Sequence, residues 1–108
     1  MFNGYSKLEY FEKNTRKAIT NLKANNYSLA QEYISLAMLG NENAPGGHNL
    51  LGILSEIKDD LILAGKHYRA SYALDPTYKP ASRNLDRIVS FNYKFDKESI
   101  DYGDVSEK

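Results

Sequence analysis

The stretch AGKHYRASYALDP, from Ala64 to Pro76, decides how the rest of the chain is read. Ala64, Tyr68, Ser71 and Tyr72 recur at spacings of three and four, which places them on one face of an α-helix. Asp75-Pro76 stops that helix, because the residue before a proline is pushed out of helical geometry. A lone amphipathic helix would need nothing more. A repeating unit would need matching positions at one fixed separation, and they exist: Ala30 with Ala64, Ala37 with Ser71, and Tyr27 with Leu61 are all equally spaced.

Outward from this helix the sequence predicts four others. Ser6-Lys7-Leu8-Glu9 is a capping box, and Leu8, Phe11, Thr15, Ala18 and Leu22 form the stripe of a helix running to about Lys23. Asn25-Asn26 breaks it. A second helix carries Leu29, Ala30, Tyr33, Ile34 and Ala37, with Gly40 expected as its terminator. NENAPGG (41–47) reads as a loop, Pro45 suiting the first turn of the next helix. Leu50, Leu51, Leu54 and Ile57 mark that third helix, and Asp59-Asp60 offers the cap for the fourth, the opening stretch. A fifth is expected from about Tyr78 to Lys94, with Ala81, Leu85, Ile88 and Phe95 on one face. No useful length alternates with period two. The expected fold class is all-α, five helices whose short connections make consecutive helices antiparallel neighbours.

The chain of 108 residues is the length of one domain. Its 14 acidic and 14 basic side chains balance, so the total charge gives no reason to expect a nucleic-acid or membrane surface. No cysteine is present, which excludes disulfide and thiolate chemistry and fits a reducing compartment. The start, MFNGYSKLEYFEK, lacks the apolar core of a secretion signal, and no apolar run approaches the roughly 20 residues needed to cross a bilayer. The expectation is a soluble, cytoplasmic protein. Charge is uneven along the chain. Lys7, Lys13, Arg16, Lys17 and Lys23 outweigh Glu9 and Glu12 near the start, while the closing stretch DKESIDYGDVSEK carries five acids against two lysines. Few large apolar residues and a glycine make this stretch, 96–108, an expected flexible, acidic tail.

No catalytic or cofactor constellation emerges. His48 and His67 lie on different expected helices at no metal-ligand spacing, with no cysteine to assist. Glu56, Asp59 and Asp60 are too few oxygens for a calcium or magnesium site, and capping accounts for the aspartates. The glycines of APGGH follow no strand and precede no Lys-Ser/Thr, so they do not make a phosphate loop. The expectation is a protein that is not an enzyme and holds no metal or cofactor.

The fixed register resembles the tetratricopeptide repeat, whose pattern is W-x2-L-G-x2-Y, A-x3-F, P. Here it reads His48-x2-Leu51-Gly52-x2-Ser55, Ala64-x3-Tyr68, Pro76, with His48 and Ser55 as departures. The resemblance covers about residues 11–95: one degenerate repeat at about 11–44, with Lys17 and Ile34 where the family has leucine and an aromatic, a good one at about 45–78, and a capping helix at about 78–95. It implies a short right-handed solenoid in which Gly52 and Ala64 are small because the paired helices cross closely, Tyr68 fills the gap toward the next unit, and His48 packs where the family has tryptophan.

It also implies a function: members bind peptides or partner proteins in a concave groove lined by the first helix of each unit. By register that groove would be lined by Thr15, Ile19 and Leu22, then Asn49, Ile53, Glu56 and Ile57, then Arg83, Arg87 and Phe91. An apolar floor beside two guanidinium groups would suit a segment with an apolar anchor and a carboxylate. The competing reading has these residues packing on one another and the arginines pairing with the chain's own acids, such as Glu56. The family's five-residue clamp for chaperone tails falls on Thr15, Ile19, Leu50, Pro80 and Asn84, none of which matches the expected types. The expected function is a non-catalytic adaptor for an extended protein segment; the alternative is a structural protein that self-associates, as a homodimer, through the apolar ends of the array.

Overall fold

The structure is a computed structural model and describes Gly4 and residues 6–104. Among these residues five α-helices follow in order: α1 (Lys7–Lys23), α2 (Tyr27–Gly40), α3 (Pro45–Ile57), α4 (Leu61–Leu74) and α5 (Lys79–Ile88), then a short 3-10 turn at Lys97–Ser99. No strand occurs among the described residues. Each helix packs on its successor through α1–α2, α2–α3, α3–α4 and α4–α5 contacts, and α3 also touches both α1 and α5, so α1, α3 and α5 share one side.

Local chemistry fixes the helix ends. Ser6 and Glu9 form the capping box: the Glu9 N–H donates to Ser6 Oγ at 3.0 Å and the Ser6 N–H to Glu9 Oε1 at 2.9 Å. Asn25 (φ 66°) and Asp59 (φ 65°) close α1 and α3 in the left-handed region, which asparagine and aspartate tolerate better than other non-glycine residues. These two residues stand at the same separation as Ala30 and Ala64, and the match does not stop there. The caps of α2 and α4, Asn26 and Asp60, have φ/ψ of −92/73° and −103/81°; their C-caps, Asn41 and Asp75, have −161/93° and −156/99°. The backbone bonds Asn26 N–H to Asn21 O and Asp60 N–H to Ser55 O repeat at 2.8 and 2.9 Å. The regular spacing in the sequence is thus a recurrence of backbone geometry.

Small residues let the helices approach. A Cβ on Gly40 would stand 3.1 Å from the Lys7 carbonyl oxygen and the Phe11 nitrogen, so Gly40 is the contact point of α2 on α1. It is the last helical residue, not the terminator expected from sequence; the extended Asn41 takes that place. The loop before α3 is also shorter than NENAPGG, because Pro45 opens the helix and Gly46 and Gly47 fall in its first turn. Gly52 and Ala64 are both buried. Tyr68 does not reach toward a further unit: its ring covers Gly52 within the α3–α4 pair, where an added Cβ would stand 2.5 Å from Cε1. Ser71, at the position of Ala37, donates to the Pro45 carbonyl at 2.7 Å and ties α4 to the start of α3. Because Tyr68 is also held by its hydroxyl, it cannot swing aside. Gly52→Ala is expected to destabilise the protein by about 1–3 kcal/mol, measured as a lower urea midpoint with unchanged slope.

Two differences from the sequence expectation reshape the C-terminal third. The fifth helix stops at Ile88, not near Lys94, and residues 89–92 turn the chain back. Residues 96–104 are not a loose tail: Ile100 and Tyr102 join one core with Ala18, Ile19, Leu22, Ala30, Ile34, Leu50, Ile53, Leu54, Ala64 and Tyr68. Burying an aliphatic and an aromatic side chain outweighs the fewer than two further turns of helix that residues 89–94 could add. The remainder of the expected tail, 105–108, lies outside the described residues. No helix among those described is long and apolar enough to cross a membrane.

Candidate functional site: the α1/α3/α5 face

Apart from Phe91, the residues assigned to a groove lie on α1, α3 and α5, and they form three layers. Ile19, Leu22 and Ile53 are buried in the floor, with Thr15 and Ile57 half-buried beside them. Thr15 Oγ1 is buried without a hydrogen-bond partner among the described residues. Asn49 and Glu56 are buried polar groups of α3. Arg83 stands at the exposed rim, whereas Phe91 is fully exposed in the turn after α5 and takes no part in the face, because α5 ends before reaching it.

Glu56 organises one end. Its side chain is fully buried, and it accepts from Arg87 Nη1 on Oε2 at 2.7 Å and from Nη2 on Oε1 at 2.9 Å. Tyr68 Oη donates to Oε1 and Tyr93 Oη to Oε2, each at 2.7 Å. Burial by itself would raise the Glu56 carboxyl; the hydrogen bonds from Arg87, Tyr93 and Tyr68 and the charge of Arg87 outweigh it and hold the group below its ordinary value. Burial, then the Glu56 hydrogen bond and charge, push Tyr93 up to about 12. Arg87 is therefore committed inside the protein, in line with the competing reading of the sequence, and of the two arginines Arg83 is the one at the rim.

The centre of the face is occupied by the chain itself. Ile100 follows the 3-10 turn in extended geometry (φ −72°, ψ 134°). Ile100 and Tyr102 turn inward, and Asp101 between them turns outward to Arg83 Nη1 at 3.0 Å. Two asparagines grip the main chain. Asn84 Oδ1 accepts from the Asp101 N–H at 2.9 Å, Asn84 Nδ2 donates to the Asp101 carbonyl at 2.8 Å, and Asn49 Nδ2 donates to the same carbonyl at 3.1 Å. Asn84 Nδ2 also donates to Asn49 Oδ1, and Arg87 Nη2 donates to Asn84 Oδ1, both at 2.9 Å. Both Asn84 protons and its oxygen are thereby used, and the amide pair reads a backbone without reference to its side chain.

The ends of the segment are fastened at the surface. Lys23 Nζ pairs with Asp104 at 2.7 Å and lies 5.0 Å from the Tyr102 ring centre. Lys97 bonds the Lys23 carbonyl and Asn25 Oδ1. Gly103 has φ 81°, and its α-carbon faces the Tyr78 hydroxyl so closely that a Cβ would collide with it. Burial and then Asp101 push Tyr78 up to about 12, so it stays a neutral hydroxyl there. Gly103→Ala combines an unfavourable φ with this collision and is expected to cost about 1–3 kcal/mol. It should raise amide exchange in 99–104 well before the helices are affected.

Sequence reasoning misses the grip of Asn84 on Asp101 and the Ile100/Tyr102 pair as a unit. A signal is present: within 96–104 the large apolar residues are Ile100 and Tyr102, spaced by two and followed by glycine, as a one-sided extended segment requires. Away from this face, His48 is half-buried with Nδ1 3.3 Å from Nδ1 of His67, the rings stacked at 5.5 Å. Burial, then His48, holds His67 below its ordinary pKa. Among the described residues no three His, Cys, Asp or Glu side chains converge as a metal site would require. No family model matches the chain, and no solved structure matches it.

Proposed function

We propose that this chain is a tetratricopeptide-like, non-catalytic interaction module of the cytoplasm, whose α1/α3/α5 face is a groove for an extended segment of protein. The observation that carries this reading is the amide grip of Asn84 and Asn49 on the Asp101 main chain. Holding a backbone by side chains, with alternate residues directed into the floor, is how a surface recognises an extended peptide. The regular recurrence of turn geometry supports the repeat architecture that the proposal assumes.

The test is selection of peptides from a random display library on the full chain carrying Asp101→Lys and Tyr102→Ala, which loosens the resident segment. Peptides are expected that lose at least tenfold in affinity when Asn84→Leu is added and helicity by circular dichroism is kept. A selection that yields nothing, or only peptides indifferent to Asn84, would defeat the proposal. Arg87 is unsuited to such a test, since its removal strands Glu56 in the interior.

The second reading, self-association, is favoured by Leu8 and Leu39, exposed leucines lining one depression at the α1–α2 end. Light scattering at micromolar concentration decides it: a homodimer dissociated by Leu39→Glu supports it, and a monomer removes it.

A further inference from the structure

We infer that residues 97–104 are a resident ligand, and that the partner segment taken by this face has the same chemistry: an extended stretch of aliphatic, acidic, aromatic, glycine and acidic residues, in that order. The inference rests on the groove reading above and specifies its occupant.

Each position of the pattern has a cause on the face. The inward turn of Ile100 and Tyr102 onto the floor formed by Ile19, Leu22 and Ile53 calls for an aliphatic and an aromatic side chain two apart. Arg83 at one rim and Lys23 at the other set acidic residues at the positions of Asp101 and Asp104. The Tyr78 hydroxyl leaves no room for a side chain at Gly103, which also needs positive φ. Between these sites the asparagine grip reads only main chain.

The segment is held as a ligand is held. The described bonds that fasten it to the helices run from side chains, not from a strand or helix ladder, and its fastening ion pairs lie at the surface, where such pairs contribute little. Asn49 and Asn84 are wholly buried beneath the segment, and water could satisfy both if it left. The connection from α5, residues 89–96, is mostly exposed and is tied down at Tyr93 by its bond to Glu56, so the segment from residue 97 onward can leave while that bond is kept. A short tether gives an effective concentration of roughly 1 mM. If the resident segment, as a free peptide, bound with a Kd of about 10 μM, it would mask any partner roughly 100-fold while tethered.

The experiment is fluorescence polarisation with a labelled peptide, KESIDYGD, titrated with three full-length proteins: the wild type, Ile100→Asp/Tyr102→Asp, and Asp101→Lys. The double variant should bind at least tenfold more tightly than the wild type. Replacing the peptide tyrosine by alanine should cost at least tenfold, and replacing its first aspartate by lysine, which sets a cation against the exposed Arg83, should cost a few-fold. Asp101→Lys leaves both buried anchors in place and sets a cation against Arg83; it should bind at an intermediate level, and it replaces the double variant if that chain does not fold. Equal binding by wild type and both variants would overturn the resident's role as competitor. Binding indifferent to the tyrosine and aspartate changes would overturn the pattern. If KESIDYGD fails to bind while display-selected peptides bind and depend on Asn84, the pattern falls and the groove reading stands; if neither binds, both fall.

Discussion

Replacing Glu56 by alanine is expected to cost about 3–5 kcal/mol, because it removes one member of a buried ion pair and strands the other. The Arg87 side chain is only 20 % exposed, and both its forked contacts go to this carboxylate. Tyr68 and Tyr93 lose their acceptor in the same step. For a domain of this size such a loss is a large part of the whole stability, and urea unfolding should show the midpoint collapse. The same group makes stability depend on acid. Its pKa in the folded protein lies below the unfolded value, so its contribution is complete above about pH 5 and is lost as pH falls through the folded pKa. Urea midpoints taken from about pH 7 down to about pH 3 should fall with acid in the wild type. The decline should be shallower in Glu56→Gln, which starts lower and has no proton to take up at that site.

Asn84→Leu is the second large effect. Leucine preserves the volume but withdraws both donated protons and the acceptor, leaving the Asp101 N–H and Asn49 Oδ1 without their partner. Two or three unsatisfied buried groups cost on the order of 3 kcal/mol together, and the easiest relief is for the segment to leave and be hydrated. Amide exchange in 99–104 should rise toward that of a free chain while α3 and α4 remain protected. Uniform loss of protection through all five helices would mean instead that the segment is an inseparable part of the core. Asn84→Asp separates the contributions: the carboxylate still accepts from the Asp101 N–H and Arg87 but opposes the Asp101 carbonyl, so partial release is expected.

How legible the molecule is in its sequence varies with the range of the interactions. The capping box at Ser6-Glu9 and the breaks at Asn25 and Asp75-Pro76 involve near neighbours in the chain, and each acts where the sequence places it. Gly40 reads wrongly as a terminator because its value lies in a contact with Lys7 and Phe11, far back on α1, rather than in its own φ. The fifth helix is overextended from sequence for a related reason. Residues 89–94 contain no proline or glycine to stop it; it ends because Ile100 and Tyr102 are buried and Tyr93 reaches Glu56. Arg83 and Arg87 look alike on one helical face, yet one is at the rim and the other is committed to the buried carboxylate of Glu56 on α3.

By itself, then, the sequence determined that the chain is all-α, where α1 and α4 end, and that its turn residues recur at a fixed interval, because propensity, capping and periodicity act locally. Only the tertiary structure decided what covers the α1/α3/α5 face. An isolated Ile-Asp-Tyr segment has no local reason to be ordered; it becomes so when Asn49 and Asn84, distant in the chain, converge on one peptide unit over an apolar floor.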